Sequence, residues 1–235
     1  MLLFSRIGRS ARGDEMDLAT QRLRLRDLVE QDAEALFEIK NDEQVRKHPF
    51  FQGDETIEFI TNMIAFFQSV KSKGLIIDDR YPERGHLFGI CLQDSADVIG
   101  VISLHPVPHS DEWHMGWYLK SQYTGQGYAA EAGAAASDYF LEALSLEFIT
   151  AGVAGDNPAS FRTAQKCGFT LMEKRIGNHD QDNGGKVEDF QPGGECFANK
   201  QKEIESSHYY FRKLNPNAKA KSGGQAGTEY GDCFS

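Results

Sequence analysis

Two glycines, Gly125 and Gly127, separate a segment of strand character, Trp113 to Leu119, from an alanine-rich stretch, Tyr128 to Leu144, whose apolar positions fall on most sides of a helix. A strand, a glycine turn and a helix that must be buried leave few arrangements open. Glycines there let the backbone turn sharply and bring several N–H groups close to one ligand. A helix beginning near Gly127 adds its unpaired N–H groups and the positive end of its dipole. Together these features suit a phosphate or pyrophosphate, although the same junction also serves as a plain tight turn.

The segments around this junction predict an α/β (α+β) domain with a mostly antiparallel mixed sheet flanked by helices. Leu23 and Leu25 alternate with Arg22, Arg24 and Arg26, the period of a half-buried strand. Ala33, Leu36, Phe37 and Ile39 recur at helical spacing. So do Ile57, Ile60, Ile64 and Phe67, after a capping Asp54 and before a terminating Gly74. His86 to Leu92, Val98 to Leu104 and Trp113 to Leu119 read as a meander of three strands. Phe148 to Val153 reads as a fully buried strand. Asn157 caps a helix with Pro158 in its first turn, Gly168 ends it, and Phe169 to Met172 returns to strand. Gly177 to Ser206 is polar and glycine-rich, too long for an ordinary loop. Tyr209 to Phe211 forms a last strand. The expected organisation is a flexible tail over residues 1–16, one domain over 17–214 with a polar insertion at 177–206, and a flexible tail over 215–235.

Composition narrows the partners. The formal net charge of −10 argues against general affinity for nucleic-acid backbones. It suits a cationic substrate such as an amine, and equally suits simple solubility. No apolar run approaches the roughly 20 residues of a membrane helix, so no membrane partner is expected. The cysteines Cys91, Cys167, Cys196 and Cys233 are scattered, without the spacing of a disulfide framework or a zinc site. No metal is expected, and a reducing, cytoplasmic setting is. Residues 1–12 hold three arginines and no acid, the composition of an organelle transit peptide or of a plain flexible tail. The subunit is expected to be a monomer or homodimer.

Longer motifs sharpen the reading. Trp113 to Leu119 followed by Gln122-x-x-Gly125-x-Gly127-Tyr128-Ala129-x-Glu131-Ala132 resembles the cofactor motif of the GNAT superfamily of N-acetyltransferases. Asn157-x-x-Ser160-x-Arg162-x-x-x-Lys166-x-Gly168-Phe169 is similar to a second signature of that family. Thr20 to Arg26 resembles the opening strand of its ribosomal-protein and amino-terminal acetyltransferase branch. The resemblance spans about residues 19–176 in the expected order. It implies a single GNAT-like domain, splayed at the cofactor site, in which an amine (a protein amino terminus, a lysine or a small molecule) attacks acetyl-CoA directly in a ternary complex. Two other functions stay open: a non-catalytic CoA-binding regulatory protein, and a dinucleotide-binding oxidoreductase, since Gly125-x-Gly127-x-x-Ala130 also satisfies that fingerprint.

The resemblance implies a role for each site residue. Gln122, Gly125, Gln126, Gly127, Tyr128 and Ala129 would cradle the CoA pyrophosphate. Trp117, Tyr118 and Leu119 would form a bulged strand whose backbone N–H polarises the thioester carbonyl. Asn157 would hold the pantetheine arm, or merely cap its helix. Ser160 would hydrogen-bond the departing sulfur, because Ala164 stands where many relatives carry a tyrosine; Tyr209 and Tyr210 are more distant substitutes. The incoming amine needs a base. His114 occupies a strand position where relatives often carry an acid, with Glu112 on the same face and His105 ending the neighbouring strand. Each of these three also reads as an ordinary polar residue on a sheet face.

Overall fold

The computed structural model describes residues 17–47, 56–72, 86–107, 110, 112–176, 187–188 and 207–218. The alternation in the first arginine-rich segment is realised: Leu23 and Leu25 are fully buried and Arg24 is exposed on strand β2 (Leu23–Asp27). A short strand that the sequence reading lacked, β1 (Asp17–Ala19), pairs antiparallel with β2. Arg26 donates to both carboxylate oxygens of Asp32 at 2.6 and 2.8 Å, tying β2 to the turn that opens α1 (Ala33–Asn41). Asp42 then accepts from Gln44 N, capping the one-turn helix α2 (Glu43–Arg46).

Helix α3 (Ile57–Ser72) buries Ile60 and Ile64, but Ile57 is 42 % exposed, so the apolar stripe starts one turn later than its spacing implies. The expected cap Asp54, the terminator Gly74 and the side chain of Phe67 lie outside the described residues. Strands β3 (His86–Leu92), β4 (Val98–Pro106) and β5 (Trp113–Leu119) form the expected antiparallel meander. They are followed by α4 (Tyr128–Ala143), β6 (Phe148–Ala154), α5 (Pro158–Lys166), β7 (Thr170–Ile176), β8 (Val187–Glu188) and β9 (Ser207–Leu214). Only β8 of the expected insertion is described, paired with β7. The expected C-terminal tail does not begin at Asn215, whose N–H donates to Glu147 O at 2.8 Å and whose amide donates to Leu141 O and Leu146 O.

The nine strands among the described residues run in the order β1-β2-β3-β4-β5-β6-β9-β7-β8. Helix α4 packs Ala132, Ala136 and Phe140 with Phe88, Met115 and Phe211 on one face of the sheet. On the other face, α1 and α3 pack Leu36, Ile39, Ile60 and Ile64 against Val98 and Val101. Each of the Leu, Ile, Val, Met and Phe side chains among them contributes about 1.5–3 kcal/mol on burial.

That arrangement matters at the middle of the sheet. Strands β5 and β6 are parallel neighbours but register at a single pair, His114 with Thr150. Beyond it β5 stays with β4 as far as Gly100–Leu119, while β6 stays with β9 as far as Ala154–His208. The sheet is therefore two blades joined at one point and parted toward the C-terminal ends of β5 and β6. The bulge expected at Trp117 to Leu119 is absent, since β5 keeps continuous register with β4. The sheet splays instead because each central strand follows its outer partner.

Candidate active site

The parting of β5 and β6 opens a cleft of about 680 Å³. Its floor is the exposed edge of β5. Lys120 N donates to Ile99 O at 3.0 Å, so the even-numbered residues of β5 turn their backbone toward β4. Strand alternation therefore aims the N–H groups of Trp117 and Leu119 the other way, into the gap that β6 leaves. Both residues line the cleft, as does Tyr118. Burial pushes the Tyr118 phenol up to about 12, so its hydroxyl stays protonated at neutral pH. Phe148 to Val153 is not buried throughout: Gly152 of β6 is exposed at the cleft wall.

At the mouth stands the glycine turn. Gly125 and Gly127 have φ of +75° and +83°, the left-handed region that side chains disfavour. Both line the cleft. Helix α4 starts immediately, with Glu131 N donating to Gly127 O. The N–H groups of Tyr128, Ala129 and Ala130, which also line the cleft, thus belong to the helix's unpaired first turn. The side chains of Gln122 and Gln126 are not part of this wall. Gln126 Nε2 donates back to Gln122 O at 3.2 Å, bracing the turn from behind. Three strands of the meander and two earlier ones precede the glycines. That overturns the dinucleotide-binding alternative, which needs them in a first strand–helix turn.

Helix α5 forms the opposite wall. Asn157 Oδ1 accepts from Ser160 N at 2.9 Å, so the expected cap is made, and Asn157 itself also faces the cleft. Trp117 Nε1 donates to Ser160 Oγ at 3.1 Å, which orients the serine and leaves its O–H to donate across the cleft. Ala164 is fully buried, so the helix offers no acid at the position where relatives place tyrosine. Arg162 and Lys166 line the same wall. Both were visible in the sequence motif, yet their type alone did not separate them from a solvated helix face. Of the two substitute tyrosines, Tyr209 packs on Phe161 with ring centroids 4.9 Å apart, and Tyr210 lines the cleft.

The other side of the parted sheet is lined by side chains rather than backbone. His114 sits at the vertex, where Thr150 Oγ1 donates to Trp113 O at 3.1 Å and lies 3.4 Å from His114 Nδ1. With the threonine hydrogen committed, Nδ1 carries the proton and donates. Nε2 then accepts from Gly152 N at 3.1 Å. His114 is thus a strut across the blades. His105 lies beside it, ring centroids 5.3 Å apart, and burial pushes its imidazole below the ordinary value. Among the described residues no hydrogen bond reaches the His105 ring. Glu112 is not brought to this place: its carboxylate lies 3.6 Å from Arg212 Nη2, half exposed and away from the cleft. His208, together with Gln44, Val45 and Lys47 around α2, also faces the cleft. Sequence reading missed Gln44, Val45 and His208 because no motif links β9 or α2 to β5. The sequence leaves acceptor selection to the two early helices, with their Lys47 to Phe51 connection, and to the insertion at 177–206; of that connection residues 48–51 lie outside the described residues, as do residues 1–12.

Known proteins share this architecture. A family model described as an acetyltransferase (GNAT) domain matches residues 22–170. The uncharacterized N-acetyltransferase YoaA of Bacillus subtilis is 31 % identical over 153 residues, covering 65 % of this chain and 81 % of its own length. Among solved structures, a GNAT-family acetyltransferase from Bacillus anthracis superposes with a TM-score of 0.60 at 22 % identity, covering 85 % of this chain and 98 % of that one. The ribosomal L7/L12 alpha-N-protein acetyltransferase RimL, in complex with coenzyme A, superposes with a TM-score of 0.59 at 14 % identity, covering 83 % and 96 %. These two likenesses concern the fold. Among the described residues no helix is long and apolar enough to cross a membrane.

Proposed function

The chain belongs to the GNAT acetyltransferase family, and we propose that it moves an acetyl group from acetyl-CoA to an amine by direct attack in a ternary complex. The observation that carries this reading is the parted β5–β6 pair. It supplies an unpaired strand edge for a thioester between a glycine cradle and a serine hydroxyl. The CoA pyrophosphate would lie on the N–H groups of the Gly125–Gly127 turn and the first turn of α4. Pantetheine would then follow β5, and Arg162 and Lys166 would offer positive charge along α5.

The chemistry follows from what surrounds the gap. A lysine-like amine has a pKa of about 10.4 and an α-amine about 8, so the nucleophile arrives protonated. His105, beside the His114 strut, takes that proton, directly or through water. His105 is the ring that accepts without surrendering a hydrogen bond to the described protein. The neutral amine attacks the carbonyl carbon, and charge developing on its oxygen meets the N–H groups of Trp117 or Leu119. The C–S bond breaks as the C–N bond forms. The leaving thiolate accepts a hydrogen bond from Ser160, and the second amine proton completes the thiol. Proteins of this family acetylate amines such as protein amino termini. The acceptor of this chain would approach from the face bearing His105, His208 and α2.

Calorimetric titration with acetyl-CoA, CoA and NADH, followed by thiol release with a panel of amines, tests the reading. Binding of both CoA ligands and amine-dependent thiol release are expected. Binding of NADH alone would overturn it.

A further inference from the structure

One guanidinium braces the far end of the glycine turn, where it meets α4. Arg22, just before β2, donates from Nη1 to the carbonyl of Gln126 at 3.0 Å and from Nε to Glu131 Oε2 at 2.7 Å. Its planar face lies over the Tyr128 ring, 4.6 Å from the centroid, and a Cβ on Gly127 would stand 3.5 Å from its Nη2. Glu131, one turn into α4, is held in return. Its Oε1 accepts from the Arg22 N–H at 2.8 Å and from Thr20 Oγ1 at 2.6 Å. Burial works to raise the Glu131 carboxyl, but hydrogen bonds from Thr20 and Arg22 outweigh it and leave the pKa lowered, so the acid stays ionised. The amino-terminal strand is thereby clamped to the turn from the side away from the cleft.

The clamp has a consequence for the ligand side. In a trans peptide the C=O and the following N–H point in opposite directions. Drawing the Gln126 carbonyl toward Arg22 therefore turns the Gly127 N–H away from Arg22 and toward the cleft that Gly127 lines. Gly127 permits that orientation through its positive φ but does not by itself select it. We propose that Arg22, held by Glu131, is the positioning residue of the turn and fixes the Gln126–Gly127 peptide so that the Gly127 N–H meets the CoA pyrophosphate. The proposal rests on the reading of the cleft as the acetyl-CoA site. What it demands of Arg22 is the planar fork, not the charge: two donors must reach the Gln126 carbonyl and the Glu131 carboxylate together, which an ammonium group does not do in the same geometry.

The test uses the full-length chain labelled with nitrogen-15, as wild type, Arg22→Ala and Arg22→Lys, titrated with CoA and, separately, with pantetheine, which lacks the pyrophosphate. In the wild type the Gly127 amide resonance should shift strongly with CoA. In both variants the shift should shrink and CoA should bind about tenfold more weakly, the scale of one charge-assisted hydrogen bond. The pantetheine titration should be unchanged. Glu131→Gln, which keeps an acceptor for Thr20 but loses the ion pair, should show a smaller loss in the same sense and keeps the test open should Arg22→Ala fold poorly. Wild-type affinity in Arg22→Lys would overturn the proposal in favour of charge alone. Equal loss of CoA and pantetheine would overturn it in favour of general collapse of the site. A wild type that binds no CoA would instead overturn the reading of the cleft, a result separable from either.

Discussion

The two sides of the parted sheet are built differently. On the α4–α5 side the site is largely backbone, N–H groups of a glycine turn, of a helix's first turn and of a strand edge, joined by Asn157, Arg162, Lys166 and a serine oriented by an indole, all from α5 or facing it. On the opposite side it is side chains from strands far apart in sequence, His105 and His114 from the meander and His208 and Tyr210 from β9. Backbone sites recognise what is common to every use of a fold, here a pyrophosphate and an amide-rich arm. Side-chain sites recognise what varies. The first half should therefore bind without regard to the acceptor, and the second should govern rate and specificity while leaving CoA affinity alone.

The sharpest way to break this division is at Gly125. Nothing lies within 4 Å of the position its Cβ would take, so a large residue is not crushed but fills the cradle itself. Gly125→Trp should abolish CoA binding in calorimetry and lower the unfolding midpoint only modestly, through the roughly 1–2 kcal/mol cost of a left-handed backbone. Retained CoA binding would show that the turn is only a turn.

The next largest effect belongs to the acceptor side. His105→Gln should lower kcat/KM for an amine acceptor about a hundredfold, with unchanged CoA affinity. His105 is held below the ordinary imidazole value by burial, so the wild-type rate should stay flat through neutrality and fall only below about pH 6.5. The variant should lose that acid limb. The same shift bears on stability. As pH falls through this window the unfolded chain takes up a proton that the folded His105 refuses, so stability declines, and His105→Gln should remove that decline in acid unfolding curves. His114→Gln separates the roles. A strut that joins β5 to β6 should cost stability and leave the acid limb in place. Loss of the limb there would move the proton acceptor to His114.

Ser160→Ala should have a smaller effect, about a tenfold fall in kcat with KM for acetyl-CoA little changed, because one hydrogen bond to a developing thiolate is at stake. Its indole partner also shows why legibility was uneven. The glycines, the cap Asn157, Ser160 and the strand–helix order all lie in short continuous motifs, and local backbone chemistry places them without tertiary information. The contact from Trp117 to Ser160 joins β5 to α5, the contact from Arg22 to Gln126 joins the first strands to the turn, and His208 enters on the last strand. None has a periodic or spaced signature, since sheet order rather than sequence order makes them neighbours. Strand β1, three residues long, and helix α2, a single turn, were too short for periodicity to register.

Glu112 gives the finest discrimination between the two halves, because sequence and structure place it differently. Read along β5 it shares a face with His114, and an acid there would serve as a base for the amine. In the fold its carboxylate turns to Arg212 across the foot of the blades, 3.6 Å away, with 40 % of the side chain exposed. Arg212 is in turn occupied with the Phe148 ring, its guanidinium carbon 4.0 Å from the centroid. An ion pair so exposed is worth about 0.2–1 kcal/mol and weakens with salt. Glu112→Gln should therefore change kcat/KM by less than about twofold and leave the pH profile of the wild type intact. A large fall in rate, with the acid limb moved, would mean that the carboxylate swings into the cleft when an acceptor arrives. The acceptor side would then be organised by its substrate, whereas the backbone side stands ready before either ligand binds.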